Sequence, residues 1–278
     1  MPSALVSTDW LAERLAAPDI RVVDATWFMP GSARNARAEF EAAHVPGAVH
    51  FDIDEICDET SPYPHMVPSA AKFSAKVRRL GLGDGVTVVA YDANRFCASA
   101  RVWWMFRLFG HEAVVVLDGG LERWRAEGRP LEEGPARPRE RHLTARQNTT
   151  LLRELDQMRA NLTSRREQVV DTRSAGRFTG ELPEPRPGLR SGHIPGSRNV
   201  PTSELLAADG RLKPPAELRP LFLRAGVDLA RPITCSCGSG VSAAVAALAL
   251  FELGRSDVAV YDGSWSEWGA QPDTPVER

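Results

Sequence analysis

The sequence predicts an α/β chain made of two similar domains, each a parallel sheet flanked by helices. Three observations carry this. Short signals recur in the same order: Val22-Val23-Asp24 returns as Val169-Val170-Asp171, His44-Val45-Pro46-Gly47 as His193-Ile194-Pro195-Gly196, and Asp118-Gly119 with Trp124 as Asp262-Gly263 with Trp268. The offsets are 147 (24 to 171), 149 (44 to 193) and 144 (118 to 262) residues, far too long for a solenoid repeat and right for a duplicated domain. Within each copy, short β-branched runs alternate with helical stretches, the pattern of a parallel sheet covered on both faces. Between the copies lies Glu132 to Arg141, rich in Pro, Gly and charge, which reads as an exposed linker.

In the first copy, Val86 to Tyr91 is a short β-branched run suited to a buried parallel strand. A helix is expected from about Ala98 to Phe109, stopped at Gly110. Ala113 to Leu117 forms the next strand and ends in Asp118-Gly119. The second copy keeps this order. Its strand lies near Ile233-Thr234, its helix runs from about Val241 to Phe251 with Gly254 as the stop, and a strand from Val258 to Tyr261 ends in Asp262-Gly263. The stretch Ala243 to Phe251 is apolar all round, so that helix should be buried deep in its domain. The expected division is a first domain over residues 1–131, a linker over 132–150 and a second domain over 151–278. The repeated His-x-Pro-Gly reads as a turn that positions the following strand, which makes His44 and His193 structural.

Composition narrows the function. With 43% hydrophobic and 25% charged residues each copy can bury a core, and a net charge of −2 gives no reason to expect nucleic acid or an anionic membrane as partner. No apolar run approaches the ~20 residues of a membrane-spanning helix. Asp9 and Glu13 argue against an acid-poor transit peptide, so a cytoplasmic address is expected. Four cysteines (Cys57, Cys97, Cys235 and Cys237) are too few for a disulfide framework in a chain of 278 residues, and a reducing compartment fits. Cys235 and Cys237 lack a second paired-ligand motif, so no zinc site, other metal or cofactor is expected.

In open parallel sheets ligands sit at the carboxyl ends of strands, where loops enter helices. In the second copy that loop is Cys237-Gly238-Ser239-Gly240-Val241-Ser242. Two glycines allow the backbone to curl so that N–H groups point inward, and the helix N-terminus adds a positive dipole end. A thiol at the head of such a loop is biased towards thiolate, the nucleophilic form. The same glycines are also compatible with a tight strand-to-helix turn of no chemical consequence. The first copy has Asp92 at the matching position, where a carboxylate cannot act as a sulfur nucleophile. One copy looks active and the other looks like a scaffold.

These motifs resemble the tandem rhodanese family, in its 3-mercaptopyruvate sulfurtransferase branch. The resemblance covers essentially the whole chain. It rests on H-V-P-G-A and H-I-P-G-S, V-W-W-M-F-R at Val102 to Arg107, D-G-G-L, Y-D-G-S-W and C-G-S-G-V-S, the last close to the branch's C-G-S-G-V-T loop. The thiosulfate-preferring branch typically carries two basic residues where this chain has Gly238 and Ser239. The resemblance implies a persulfide on Cys237, cradled by Gly238, Gly240, Val241 and Ser242. It implies a relay of Ser239, His65 and Asp54, and substrate held by Arg177 and Arg186. It places the site in a cleft between the copies and makes the acceptor a thiol, such as thioredoxin or a small thiol, or cyanide. Chemistry agrees: guanidinium forks suit a carboxylate beside a ketone, and positive charge stabilises the enolate that leaves as the C–S bond breaks.

Alternatives stay open at this level. A loop histidine such as His65, one acid among Asp52 to Glu59, and arginines among Pro183, Pro185 and Pro187 are compatible with ordinary solvated positions. Cys235 reads either as a buried packing residue or as a thiol that resolves Cys237. A phosphatase loop would need arginine six positions after its cysteine, where this chain has Ala243. Rival functions are a thiosulfate-preferring sulfurtransferase and a non-catalytic binding module, the second opposed by the presence of Cys237.

Overall fold

The computed structural model describes residues 2–278. The chain divides into two compact units. One comprises the chain up to Asp58, Val67–Asn148 and Ala208–Arg211; the other comprises Glu59–Met66, Thr149–Ala207 and Leu212–Arg278.

The first unit contains β1 (Leu5–Val6), α1 (Thr8–Ala12), β2 (Ile20–Asp24), α2 (Ala36–Ala42), β3 (Val49–His50), α3 (Ala70–Arg79), β4 (Thr87–Tyr91), α4 (Ser99–Leu108), β5 (Val114–Leu117) and α5 (Gly120–Ala126). Its five strands are all parallel, in the order β1-β5-β4-β2-β3. The second unit repeats the pattern with β6 (Leu152–Arg153), α6 (Leu155–Ser164), β7 (Gln168–Asp171), α7 (Ala175–Thr179), β8 (Arg198–Asn199), α8 (Thr202–Leu205), α9 (Pro215–Arg224), β9 (Ile233–Ser236), α10 (Ala243–Glu252), β10 (Ala259–Tyr261) and α11 (Ser264–Trp268). Its strand order is β6-β10-β9-β7-β8, again all parallel. The two sheets are therefore the same topology written twice. The expected strands and helices fall within two residues of their observed ends, and α10 is buried from Ala243 through Leu250, as an all-round apolar helix requires.

The recurring motifs turn out to be architectural. His44 stacks on Phe40 (centroids 4.0 Å apart), its Nδ1 lies 2.7 Å from the Phe40 carbonyl, and its backbone exchanges two hydrogen bonds with Glu132. His193 repeats all three features, on Phe178 (3.7 Å; Nδ1 to the carbonyl 2.9 Å) and Glu277. Burial and stacking explain why an aromatic ring is kept at both turns. The repeated tryptophans close each core: Trp124 donates from Nε1 to the Pro130 carbonyl (2.7 Å), and Trp268 donates to that of Pro275 (2.9 Å). Trp124 packs with Val22, Phe40 and Tyr91, whereas Trp268 packs with Met158, Val169 and Tyr261. No helix among the described residues is long and apolar enough to cross a membrane.

Candidate active site

The central strand β9 ends at Ser236 and hands the chain to Cys237, so the thiol stands at the carboxyl end of the sheet. Cys237 is 1% exposed. Its backbone N–H donates to Ser264 Oγ (3.1 Å), and its carbonyl accepts from the Trp265 N–H (3.0 Å). The Gly238 carbonyl accepts from both the N–H (2.8 Å) and the Oγ (2.7 Å) of Ser266. The segment that starts α11 thus fastens the first half of the loop. Gly240 has φ +75°, a left-handed conformation that side chains resist, and there the loop turns towards α10.

The first unit shows what a loop in this position does with an acceptor at its head. Asp92 follows β4 as Cys237 follows β9, and its buried carboxylate accepts N–H bonds from Asn94 (3.1 Å), Phe96 (3.0 Å), Ala98 (3.2 Å) and Ser99 (2.8 Å). The turn into α4 wraps its amides around the residue at the head of the loop, in the manner of a backbone anion nest. In the first unit that residue is a carboxyl group, which burial pushes above the ordinary range against the N–H bonds that hold it down. In the second it is a thiol.

Arg177, on the short α7, lies against this loop. A Cβ built on Gly238 would meet Arg177 Nη2 at 3.0 Å, so the absence of a side chain at Gly238 is what admits the guanidinium. Glu184 accepts from Arg177 Nε (3.1 Å) and from that same Nη2 (2.6 Å). Glu184 also accepts from Arg173 Nη1 (2.8 Å). Arg173 in turn grips both carboxylate oxygens of Asp171, bonds the Gly192 carbonyl (2.8 Å) and lies 4.3 Å over the Trp265 ring. Arg186 is half-buried, with its Nη2 out of contact with solvent.

His65 is buried and adopts φ 61°, a backbone strain that a non-glycine residue sustains only where its surroundings enforce it. Its segment, Glu59–Met66, clusters with the second unit, and Tyr63 Oη accepts from Gln271 Nε2 (2.7 Å). Cys237, Ser239, His65, Arg177 and Arg186 therefore all belong to one compact unit. Asp54 belongs to the other. There its Oδ2 accepts from Trp27 Nε1 (2.8 Å) and its N–H donates to Asp52 Oδ1 (2.8 Å).

Cys235 sits in the middle of β9, in register with Val170 on one side and Val260 on the other, and is fully buried. Burial pushes its thiol well above the ordinary cysteine range, and the neighbouring Cys237 pushes it the same way. Enclosure between two strands favours the first of the two readings of this residue, a packing group.

Four positions of consequence escaped the sequence: Glu184, Ser264, Ser266 and Trp27. Comparison of the two copies could have flagged Ser264. It stands where the first copy has Gly120, 144 residues earlier, so the hydroxyl that holds Cys237 occurs only in the copy with the thiol. Glu184 carried no such mark, because it stands between Pro183 and Pro185, in a stretch where no regular element gives its spacing from Arg177 a meaning.

Comparison with known proteins agrees with this geometry. The model of the rhodanese-like domain matches residues 7–127 and again 154–271. The chain is 46% identical to human 3-mercaptopyruvate sulfurtransferase, covering 99% of this chain and 95% of that one. It is 48% identical to rat thiosulfate sulfurtransferase, with the same coverage of 99% and 95%. Among solved structures, SseA from Escherichia coli, a 3-mercaptopyruvate sulfotransferase, superposes with a TM-score of 0.88 at 40% identity, covering 95% of this chain and 99% of that one. One domain model matching twice, two identical sheet orders and full-length relatives at this identity have one reading: the chain belongs to the rhodanese family and carries two rhodanese-like domains in tandem.

Proposed function

We propose that the protein is a sulfurtransferase that takes sulfur from 3-mercaptopyruvate onto Cys237 and passes it to a thiol or to cyanide, releasing pyruvate. The observation that carries this is the loop itself. The strand-to-helix loop in the first unit gathers four amides around the Asp92 carboxyl group, and the corresponding loop in the second unit carries the Cys237 thiol at its head. A cradle of that kind stabilises a thiolate before the reaction and a persulfide anion after it.

In the first half-reaction the Cys237 thiolate attacks the substrate sulfur. The S–S bond forms, the C–S bond breaks, and its electron pair leaves on carbon as the pyruvate enolate. Ser239 and His65 move the substrate thiol proton to that carbon, so thiolate and mercaptopyruvate become persulfide anion and pyruvate with no proton left over. Arg177 and Arg186 take the carboxylate and ketone oxygens, where cationic donors stabilise the developing enolate. In the second half-reaction an acceptor thiolate, from thioredoxin or a small thiol, attacks the outer sulfur and returns Cys237 to thiolate. No step requires a metal or organic cofactor.

Thiosulfate is the other donor to weigh, since relatives bearing either name are 46% and 48% identical and overall identity does not separate them. The loop favours mercaptopyruvate: Gly238 and Ser239 place no cation beside the thiolate, whereas Arg177 can take a carboxylate at the loop's edge. Low cysteine content favours a reducing setting such as the cytoplasm.

The test is intact mass after incubation with mercaptopyruvate. One added sulfur, ~32 Da on the peptide containing Cys237 and removed by dithiothreitol or cyanide, is the expected product of thiolate chemistry. Cys237→Ser should abolish both the mass shift and turnover. Full turnover by that variant would end the proposal.

A further inference from the structure

We propose that Glu184 is the positioning residue of this site: it holds the Arg177 guanidinium by its side edge so that the far end of the fork is presented to the loop at Gly238. The inference deepens the sulfurtransferase reading and rests on it.

Glu184 is the hub of a chain of charges. Its side chain is 2% exposed, and its two oxygens take three guanidinium N–H bonds, two from Arg177 and one from Arg173. Arg173 is 0% exposed and cannot swing, because Asp171, the Gly192 carbonyl and the Trp265 ring fix it on three sides. Asp171 ends β7 and Trp265 lies in α11, so the restraint runs back to the sheet and to the segment that also fastens the Cys237 loop. Arg177, by contrast, keeps 24% of its side chain exposed and stands on a helix of only five residues. A long side chain at such a place loses considerable rotamer freedom when it is held still, and Glu184 supplies the restraint before substrate arrives.

The bond pattern also specifies which edge remains for substrate. Nε and one N–H of Nη2 face Glu184, and Nη2 at the same time lies against Gly238. The end of the fork, Nη1 with the second N–H of Nη2, is the edge left to meet an anion beside the thiol. Two carboxylates and two guanidiniums, Asp171, Glu184, Arg173 and Arg177, balance in formal charge. The site therefore does not depend on an excess of positive charge at Arg177. It depends on where that charge stands.

Position and charge make opposite predictions for one substitution. Glu184→Gln removes a negative charge beside Arg177. If charge alone mattered, a carboxylate substrate would bind more tightly. If position matters, the amide NH2 turned towards Arg177 breaks the clamp and KM for mercaptopyruvate rises about tenfold, the loss expected for a charge-assisted bond. Glu184→Asp keeps the charge and shortens the reach, so it should raise KM in the same direction; this variant also serves if the Gln variant fails to fold. In an Arg177→Ala background the additional Glu184→Gln change should alter KM by less than about twofold, because the residue acts through Arg177. Alkylation of Cys237 by neutral iodoacetamide, which needs no arginine, should stay within about twofold of wild type in both single variants. An unchanged or lower KM in Glu184→Gln, or full additivity with Arg177→Ala, would overturn the proposal. Absence of a persulfide in the wild-type protein would instead overturn the underlying sulfurtransferase reading.

Discussion

Gly238→Ala is the smallest change that tests how the site is built. Gly238 does not have a positive φ, so alanine meets no backbone strain, and removing a glycine from the unfolded chain favours the folded state by about 0.4–1 kcal/mol. The variant should therefore remain folded. Its one conflict is with Arg177, whose Nη2 would lie 3.0 Å from the new methyl group. An ordinary contact begins near 3.4 Å, so the guanidinium must retreat by roughly 0.4 Å. It cannot do so without cost, because Glu184 holds it at 2.6 and 3.1 Å and is itself held by Arg173. A displacement of about 1 Å in a positioning group costs about 100-fold, so one of roughly 0.4 Å corresponds to about 5- to 10-fold in kcat/KM, or ~1–1.4 kcal/mol. The assay is steady-state pyruvate release from mercaptopyruvate, with thermal unfolding as the control for folding. In an Arg177→Ala background the same methyl group should have almost no further effect. A Gly238→Ala variant with wild-type kcat/KM would refute the reasoning, for it would mean that Arg177 does not act from its place beside the loop.

Two further changes probe donor choice and the second cysteine. The double change Gly238→Arg, Ser239→Lys should lower mercaptopyruvate turnover, by crowding Arg177 and removing the relay hydroxyl, and should raise thiosulfate turnover through the added cations; at an effective dielectric near 20 each cation about 4 Å away is worth a gross ~4 kcal/mol. Wild-type preference for thiosulfate in matched kcat/KM measurements would count against these two positions as the source of specificity. Cys235→Ala should keep activity within about twofold and cost about 1–2 kcal/mol of stability, because it removes only the buried sulfur between Val170 and Val260. A Cys235–Cys237 disulfide after mild peroxide, found by non-reducing peptide mapping, would show that this buried thiol is reached after all.

Much of the fold is legible in the residues because its signals are local. Val86 to Tyr91 and Ala113 to Leu117 announce strands by β-branching, and Ala243 to Phe251 announces a buried helix because it offers no polar face. The duplication multiplies each signal by two and gives the two-domain repeat without any contact information; that Glu59–Met66 cluster with the second unit and Ala208–Arg211 with the first is decided by contacts. Cys237 stands out for a similar reason: thiol, glycines and helix start are adjacent in sequence, and the matching loop with Asp92 supplies a contrast.

What adjacency cannot convey is which distant groups restrain one another. The Glu184 carboxylate joins Arg173 and Arg177 across a proline-rich loop, and nothing in residues 173–186 says that one acid satisfies both arginines. Ser264 reaches Cys237 over 27 positions, and Gly238 is needed because a side chain 61 residues earlier in the chain lies against it. The difference between Cys235 and Cys237 is also a matter of environment: two residues apart on one chain, one thiol is enclosed between neighbouring strands while the other heads a loop. Periodicity and composition encode burial and secondary structure, because those depend on neighbours in sequence. The proposed nucleophile is readable for the same reason. The placement of the guanidinium beside it depends on desolvated charges paired across the fold, and that pairing exists only once the sheet has brought them together.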